Sequence, residues 1–502
     1  MKISIIGAGL GGLTFAALAC RDGHEVTIYD KNNKAGGVVA LKEVGDYKFE
    51  QGPLLVGDML EGEPVYEFLK SLGITLETIR ADRDIYMPDY KMITPDEYQG
   101  PYWRRDKLKE LFPNEAKNLD RYYKFYDDVM ELRYLATLKP TLINKLKLMI
   151  TVLKLKKYFK MSAEELTNYF FKEEKIRTLY TGILADFCCD PNEAAGLSTV
   201  FCNFETAFDK RIPLDKNGKK YYPGYCYVKG GCQKIPEALE DYIVNHGGKI
   251  IYNTIVKKVN VENNKVKGIT LEDDTFIESD IVVGCGAGKD FFFETVGKEY
   301  LDEEYLNILN TFRPMEAVFM LHLGVKDYDP NKYMRSSLTY CYKMYDLHGA
   351  TVKLRSGEYH EGNDGYLIFI PSNHADDFAP KGHHAITIYT VCPSFLKDAS
   401  WEEKKEEYAK KLIELAEENL PNLSEHIEVM DIMTSLDYAK YTHMKKSSFG
   451  GTVPINGQKN PPHKTPVTNL YFVGQQSENG GGLGAVILGS KSCYEKFVNK
   501  KD

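Results

Sequence analysis

Gly7, Gly9 and Gly12 stand in the spacing G-x-G-x-x-G, between the apolar run KISII (2–6) and the small-residue stretch LTFAALACRDG (13–23). The first glycine allows a tight turn, the second lets backbone approach a pyrophosphate, and the third lets helix and strand pack closely. The helix start behind them offers free N–H groups and a positive dipole to phosphates. Asp30 closes a second β-branched run, HEVTIYD (24–30), where its carboxylate would meet a ribose hydroxyl. Gly36 and Gly37 follow, small enough for a second loop to close over the same phosphates. Near the other end, NLYFVGQQSENGGGLGAVILGSK (469–491) reads as a strand, Gly474, a glycine-rich turn and a helix from about 485. Its backbone N–H groups would suit an anionic ligand, although a plain strand–turn–helix fits the same letters.

Other residues are weighed against blander roles. Glu478 is the one acid in the C-terminal glycine-rich turn, so it is the candidate catalytic group for moving a proton; a solvent-facing turn residue is the alternative. Tyr221, Tyr222, Tyr225 and Tyr227 cluster before Gly230-Gly231, and would either line an apolar tunnel or pack ordinarily. His322 lies inside an apolar run and reads as a core histidine. Eleven histidines and ten cysteines are scattered without metal spacing, so no metal site is expected. LINKLKLMITVLKLKKYFK (142–160) interleaves six lysines with Leu, Ile, Met and Val. It reads as an interfacial helix touching anionic lipid, or as a surface helix with snorkelling lysines.

The elements that must position these groups follow from periodicity. Residues 2–30 form a strand–helix–strand unit. A helix is expected over 59–80, and helices dominate from about 102 to 186. A helix at 234–246 leads into short strands over 247–287, punctuated by Asn-Asn and Asp-Asp turns. Strands are expected at 315–325, 365–372 and 384–391, and an amphipathic helix at 401–420.

The chain has 502 residues, 43% hydrophobic and 27% charged, which is enough to bury a large core and excludes wholesale disorder. A net charge of -8 argues against a nucleic-acid partner. The cysteine pattern is that of reduced thiols. No signal-peptide cleavage site follows the apolar residues 3–6, and no apolar run is long enough to span a bilayer. The expected location is cytoplasmic, with peripheral contact on the inner membrane face.

Asp30 with Gly36-Gly37 after the first glycine motif resembles the FAD signature of the amine oxidase and phytoene desaturase superfamily. GAGLGGL, YDKNNKAGG, YKFEQGP (47–53), YVKGGCQKIPEALEDYIVNHGGKI (227–250), SDIVVGCGA (279–287) and LYFVGQQSENGGGLGAVILG carry the resemblance along most of the chain. It is similar to the phytoene desaturase-related flavoproteins: carotenoid desaturases, carotenoid isomerases and retinoid saturases. The resemblance implies an α/β fold, with a Rossmann-type FAD-binding domain from 1–85, 220–300 and 440–502. A discontinuous α+β substrate domain would come from 86–219 and 301–439. It implies ribose contact at Asp30 with Lys31 beside it, and pyrophosphate contact along Gly7, Gly9, Leu10, Gly11 and Gly12. Gly36, Gly37 and Val38 would close over the cofactor, and Val256 would meet adenine. Gly474 and Gln475 would lie by the ribityl phosphate, and Gly484 and Ala485 by the isoalloxazine. Two positions depart from the family: Val38 where Arg is common, and Gln475 where Asp is common. Amine oxidases that hold flavin covalently carry a cysteine after a Gly-Gly pair; here Thr452 follows Gly450-Gly451, so FAD is expected to be non-covalent. The implied activity is FAD-dependent oxidoreduction of a lipophilic polyene or isoprenoid. The alternatives are an amine oxidase-like flavoenzyme, or a non-catalytic FAD-containing module for lipid binding or interaction.

Overall fold

The computed structural model describes residues 1–138, 140–212 and 224–499; Tyr221 and Tyr222 lie outside them. The opening unit is strand β1 (Lys2–Ile6), helix α1 (Leu10–Arg21) and strand β2 (Glu25–Tyr29). β1 is the centre of a five-stranded sheet in the order Lys249–Ile251, β2, β1, Ile281–Cys285, Leu470–Val473. Every pair in it is parallel. Parallel strands need both faces covered. Accordingly α1 packs against the helices Lys234–Asn245 and Leu483–Phe497 on one face. It can do so because its buried side is built from small residues, Gly11, Gly12, Ala16, Ala17 and Ala19. A Cβ on Gly11 would lie 2.9 Å from the Gly474 nitrogen, so the helix start and the C-terminal turn approach backbone to backbone.

A second, mixed sheet has seven strands, from Ile427–Met433 through Ala317–Lys326, His383–Cys392, Gly365–Phe369, Leu338–Tyr342 and Asp84–Tyr86 to Lys91–Met92. In Ala317–Lys326 all residues but the last are buried, as expected of a central strand covered on both faces. A helical layer over Trp103–Phe208 leans on this sheet through a core rich in Tyr and Phe, including Tyr122, Tyr126, Phe170 and Tyr180. His322 is wholly buried in the central strand, its Nδ1 3.2 Å from the Thr387 hydroxyl.

The helix expected over 59–80 is shorter, Pro64–Ser71. Proline opens it at the first position, where no N–H is needed, and Gly73 at φ 76° ends it. Thr78–Arg80 is a strand instead, paired with Tyr225–Val228. The amphipathic helix ends at Ala416, and the C-terminal helix begins at Leu483. Among the described residues no helix is long and apolar enough to cross a membrane.

Candidate active site

β1 delivers the chain into a turn that only glycine allows. Gly7 has φ 106°, and a Cβ there would lie 2.2 Å from the Cys285 carbonyl oxygen. A Cβ on Gly12 would lie 2.2 Å from the Gly7 oxygen. Gly9 differs: the nearest atom to its notional Cβ is Cys285 Sγ at 3.6 Å, an ordinary contact. Gly7 and Gly12 are therefore demanded by packing, while Gly9 keeps open the space above the turn. Asp30 pins this geometry. Its Oδ2 accepts the Ala8 N–H at 2.6 Å, and its Oδ1 accepts the Asn32 N–H at 2.7 Å. Burial raises its pKa, opposed by those two N–H groups. Gly36, at φ 119°, donates its N–H to the Ala8 carbonyl at 2.9 Å and so lays the second glycine loop beside the first.

These loops border one cavity of about 1270 Å³, larger than the roughly 300–1,000 Å³ usual for a small-molecule pocket. Gly7, Gly9, Leu10, Gly11, Asp30, Lys31, Gly36, Gly37, Val38, Val256, Gly474, Gln475, Gly484 and Ala485 all line it. Gly12 does not; its place is against Gly7 and Ile5. Lys31 turns its ammonium to the Lys440 carbonyl. The Gln475 amide donates to the Phe449 carbonyl at 3.4 Å, packed on Gly450.

Glu478 is not among the lining residues, which corrects its expected place in the site. Two successive turns, Ser477 N–H to the Gly474 carbonyl and Gly480 N–H to the Ser477 carbonyl, reverse the chain and carry Glu478 away. Its carboxylate stands 3.8 Å from Nε2 of the buried His463.

The far end of the cavity is a chamber walled by both layers of the second unit. Phe204, Phe208, Tyr225, Tyr340, Tyr389 and Ile183 line it. Two charged side chains sit among them, and periodicity points to neither. Arg83 is 1% exposed, donates to Asn203 Oδ1 at 2.7 Å and stacks on Phe208 at 3.8 Å. Burial lowers its pKa to about 10. Asp186 accepts the Tyr340 hydroxyl at 2.9 Å. Arg133 pairs with Asp58 at the chamber wall and stacks on Phe204 at 4.2 Å.

The glycine cradle fits an FAD diphosphate: a twelve-residue helix starts at Leu10, missing Cβ atoms leave the space over it open, and an acid ends β2. A glycine-turn βαβ unit feeding a second, aromatic chamber defines a dinucleotide-dependent oxidoreductase. The chain belongs to the flavin containing amine oxidoreductase family, whose sequence model matches residues 10–287. It is 23% identical to the 4,4'-diaponeurosporene oxygenase of Staphylococcus haemolyticus (strain JCSC1435), over 99% of this chain and 97% of that one. It is 22% identical to the zeta-carotene-forming phytoene desaturase of Myxococcus xanthus, over 99% and 94%. The fold matches the crystal structure of an oxidoreductase from Methanosarcina mazei with a TM-score of 0.62 and 19% identity, over 99% and 100% of the two chains. The protein is an FAD-dependent oxidoreductase of α/β fold.

Proposed function

We propose that the protein transforms a lipophilic polyene or isoprenoid, by desaturation, saturation or isomerisation, on a non-covalently held FAD. The observation that carries this reading is the continuity of the cavity from the glycine cradle to the aromatic chamber, with room for more than a cofactor. Flavin supplies hydride transfer. Gly7, Gly9, Leu10 and Gly11 would hold the pyrophosphate, and Asp30 the ribose. Val256 would meet adenine, Gly474 and Gln475 would lie by the ribityl phosphate, and Gly484 and Ala485 by the isoalloxazine. Aromatic walls exclude water and bind a flat, apolar chain. The names of both relatives refer to carotenoid chemistry. A lipid extract of cells making the protein should differ in its polyenes from an empty control; an identical extract overturns the substrate reading.

Purified protein should be yellow, and acid precipitation should release FAD into the supernatant. Flavin retained in the pellet would refute non-covalent binding. In support, the Cys285 thiol is engaged by the Gly12 N–H at 3.0 Å beneath the phosphate turn, and burial raises its pKa to about 12.

Two further readings complete the proposal. Segments 1–85, 220–300 and 440–502 would form one FAD domain, a division supported by the five-stranded parallel sheet drawing every strand from them. Segments 86–219 and 301–439 would form the substrate domain. The helix Leu142–Leu155 would rest on anionic membrane at the cytoplasmic side. Leu142 is 85% exposed, and Ile143, Leu146, Met149, Ile150 and Leu153 are also exposed, an apolar stripe flanked by lysines. Helix Ala116–Thr137 packs beside it and lends Leu132, Arg133, Ala136 and Thr137 to the chamber wall, so lipid and chamber would lie close. Anionic vesicles should bind the protein, and salt should weaken binding. Serine at 142, 146, 149 and 153 should reduce vesicle binding at least tenfold, since each fully buried apolar side chain contributes about 1.5–3 kcal/mol. Equal binding of variant and parent would leave a plain surface helix.

A further inference from the structure

Asp186 ends a short helical segment, Gly182–Phe187, that lies between two cavities. On one side is the chamber. On the other is a small cavity of about 70 Å³, enough to hold water. Asp186, Tyr340 and Tyr389 line both, so these three side chains are the partition. His360 and Asp364 also line the small cavity. His360 Nε2 donates to the Val391 carbonyl at 3.2 Å, and its Nδ1 accepts the Gly362 N–H at 3.1 Å, the pattern of a neutral imidazole. A carboxyl that faces a reaction chamber and carries one phenol donor has the placement of a group that takes a proton and returns it.

We propose that Asp186, oriented by Tyr340, is the catalytic acid–base of the chamber. The proposal rests on the lipophilic-substrate reading above. In the desaturating direction two C–H bonds on adjacent carbons break and one C=C forms. A bound oxidised flavin would take one hydrogen with its electron pair, and the Asp186 carboxylate would take the other as a proton. In the reverse direction the same carboxyl returns the proton. Burial pushes Asp186 up to about 7, opposed by the Tyr340 hydroxyl and the Arg83 charge, so both forms exist near neutrality. The groups facing it are Tyr340 and Tyr342 from one strand, Tyr389 from the strand two places over and the Arg83 guanidinium. The tyrosines are held well above their ordinary values by burial, which leaves Asp186 as the group among them that titrates near neutral pH.

The test compares parent, Asp186→Asn and Tyr340→Phe, each loaded with flavin. The pH-difference infrared spectrum of the parent should show a carboxyl component with a midpoint near 7 beside that of Glu50 near 8, and Asp186→Asn should lack the former and keep the latter. That variant should keep its flavin content but turn over polyene about 10²–10⁴-fold more slowly, the usual contribution of a positioned acid–base, and lose the corresponding limb of the pH profile. Tyr340→Phe should move the infrared midpoint upward, because it loses a donor to the charged form. An unchanged carboxyl difference spectrum in Asp186→Asn, a midpoint near 7 unmoved by Tyr340→Phe, or parental turnover and pH profile in Asp186→Asn would overturn the proposal. A parent protein that turns over no polyene counts against the substrate reading instead, and the infrared arm still decides whether Asp186 titrates.

Discussion

Gly9→Val should give folded protein devoid of flavin, whereas Gly12→Ala should fail to fold stably. Both change one glycine of the same turn, and local geometry sets their fates apart. At Gly9 the backbone is extended, with φ −73° and ψ 170°, which any residue adopts. The nearest obstacle to a Cβ is 3.6 Å away, so the apo-protein should melt within a few degrees of the parent. The added methyl groups would intrude where backbone must approach the pyrophosphate, and flavin occupancy should fall below a tenth. At Gly12 a Cβ would lie 2.2 Å from the Gly7 oxygen and 3.1 Å from Ile5 Cγ2. Neither can withdraw without moving β1 in the middle of the parallel sheet. Overpacking of this kind costs about 1–3 kcal/mol or more. Circular dichroism melts of the apo forms, with flavin absorbance of the same preparations, separate the outcomes. Full flavin occupancy in Gly9→Val would move the phosphate site elsewhere.

The contrast also shows why the first half of the site was legible. Gly7, Gly9, Gly12, Asp30 and Gly36 lie within thirty residues and act through local backbone geometry, so their spacing states their work. Val256, Gly474 and Gly484 are remote in sequence; only the family resemblance placed them, and all three line the cavity. Asp186 and Arg83 had no such signal. Asp186 belongs to a stretch, GILADFCC, with no motif, and gains its environment from Tyr340 and Tyr389, roughly 150 and 200 residues further on. Nothing in periodicity foretells which helix-end carboxyl a distant strand will cover. Glu478 erred the opposite way. It sits in the right loop, but two tight turns within seven residues point it outward, a reversal that the run of glycines permits and composition does not announce. The shortened helix at 64–71 has a similar cause: apolar spacing continued past Gly73, but Thr78–Arg80 found a strand partner in Tyr225–Val228.

Glu50→Gln should stabilise the protein at alkaline pH and leave it unchanged under acid conditions. Glu50 ends the hairpin strand Tyr47–Glu50 and is 4% exposed. Its Oε1 accepts the Cys232 N–H at 2.8 Å, while Oε2 has no partner among the described residues. Burial pushes the carboxyl up to about 8, opposed by the Cys232 N–H. In the unfolded chain it titrates near its ordinary value of 4.5. Between these values the native state binds the extra proton, so stability falls as pH rises, beginning near the lower value and levelling off above the upper one. At about 1.4 kcal/mol per pKa unit, the accumulated loss is on the order of 5 kcal/mol. Glutamine keeps the acceptor for Cys232 and removes the titration. Urea midpoints of parent and variant apo-protein should coincide near pH 4 and diverge steadily toward pH 8 and above, with the variant the more stable. The effect reaches the cavity through the chain itself. Gln51 donates to the Ala40 carbonyl at 2.6 Å, and a Cβ on the next residue, Gly52, would lie 2.3 Å from the Val38 oxygen, so the segment Glu50 anchors is the one that backs Val38 at the cavity wall. Parallel pH curves for parent and variant would place the Glu50 carboxyl in contact with water and remove it from the support of that wall.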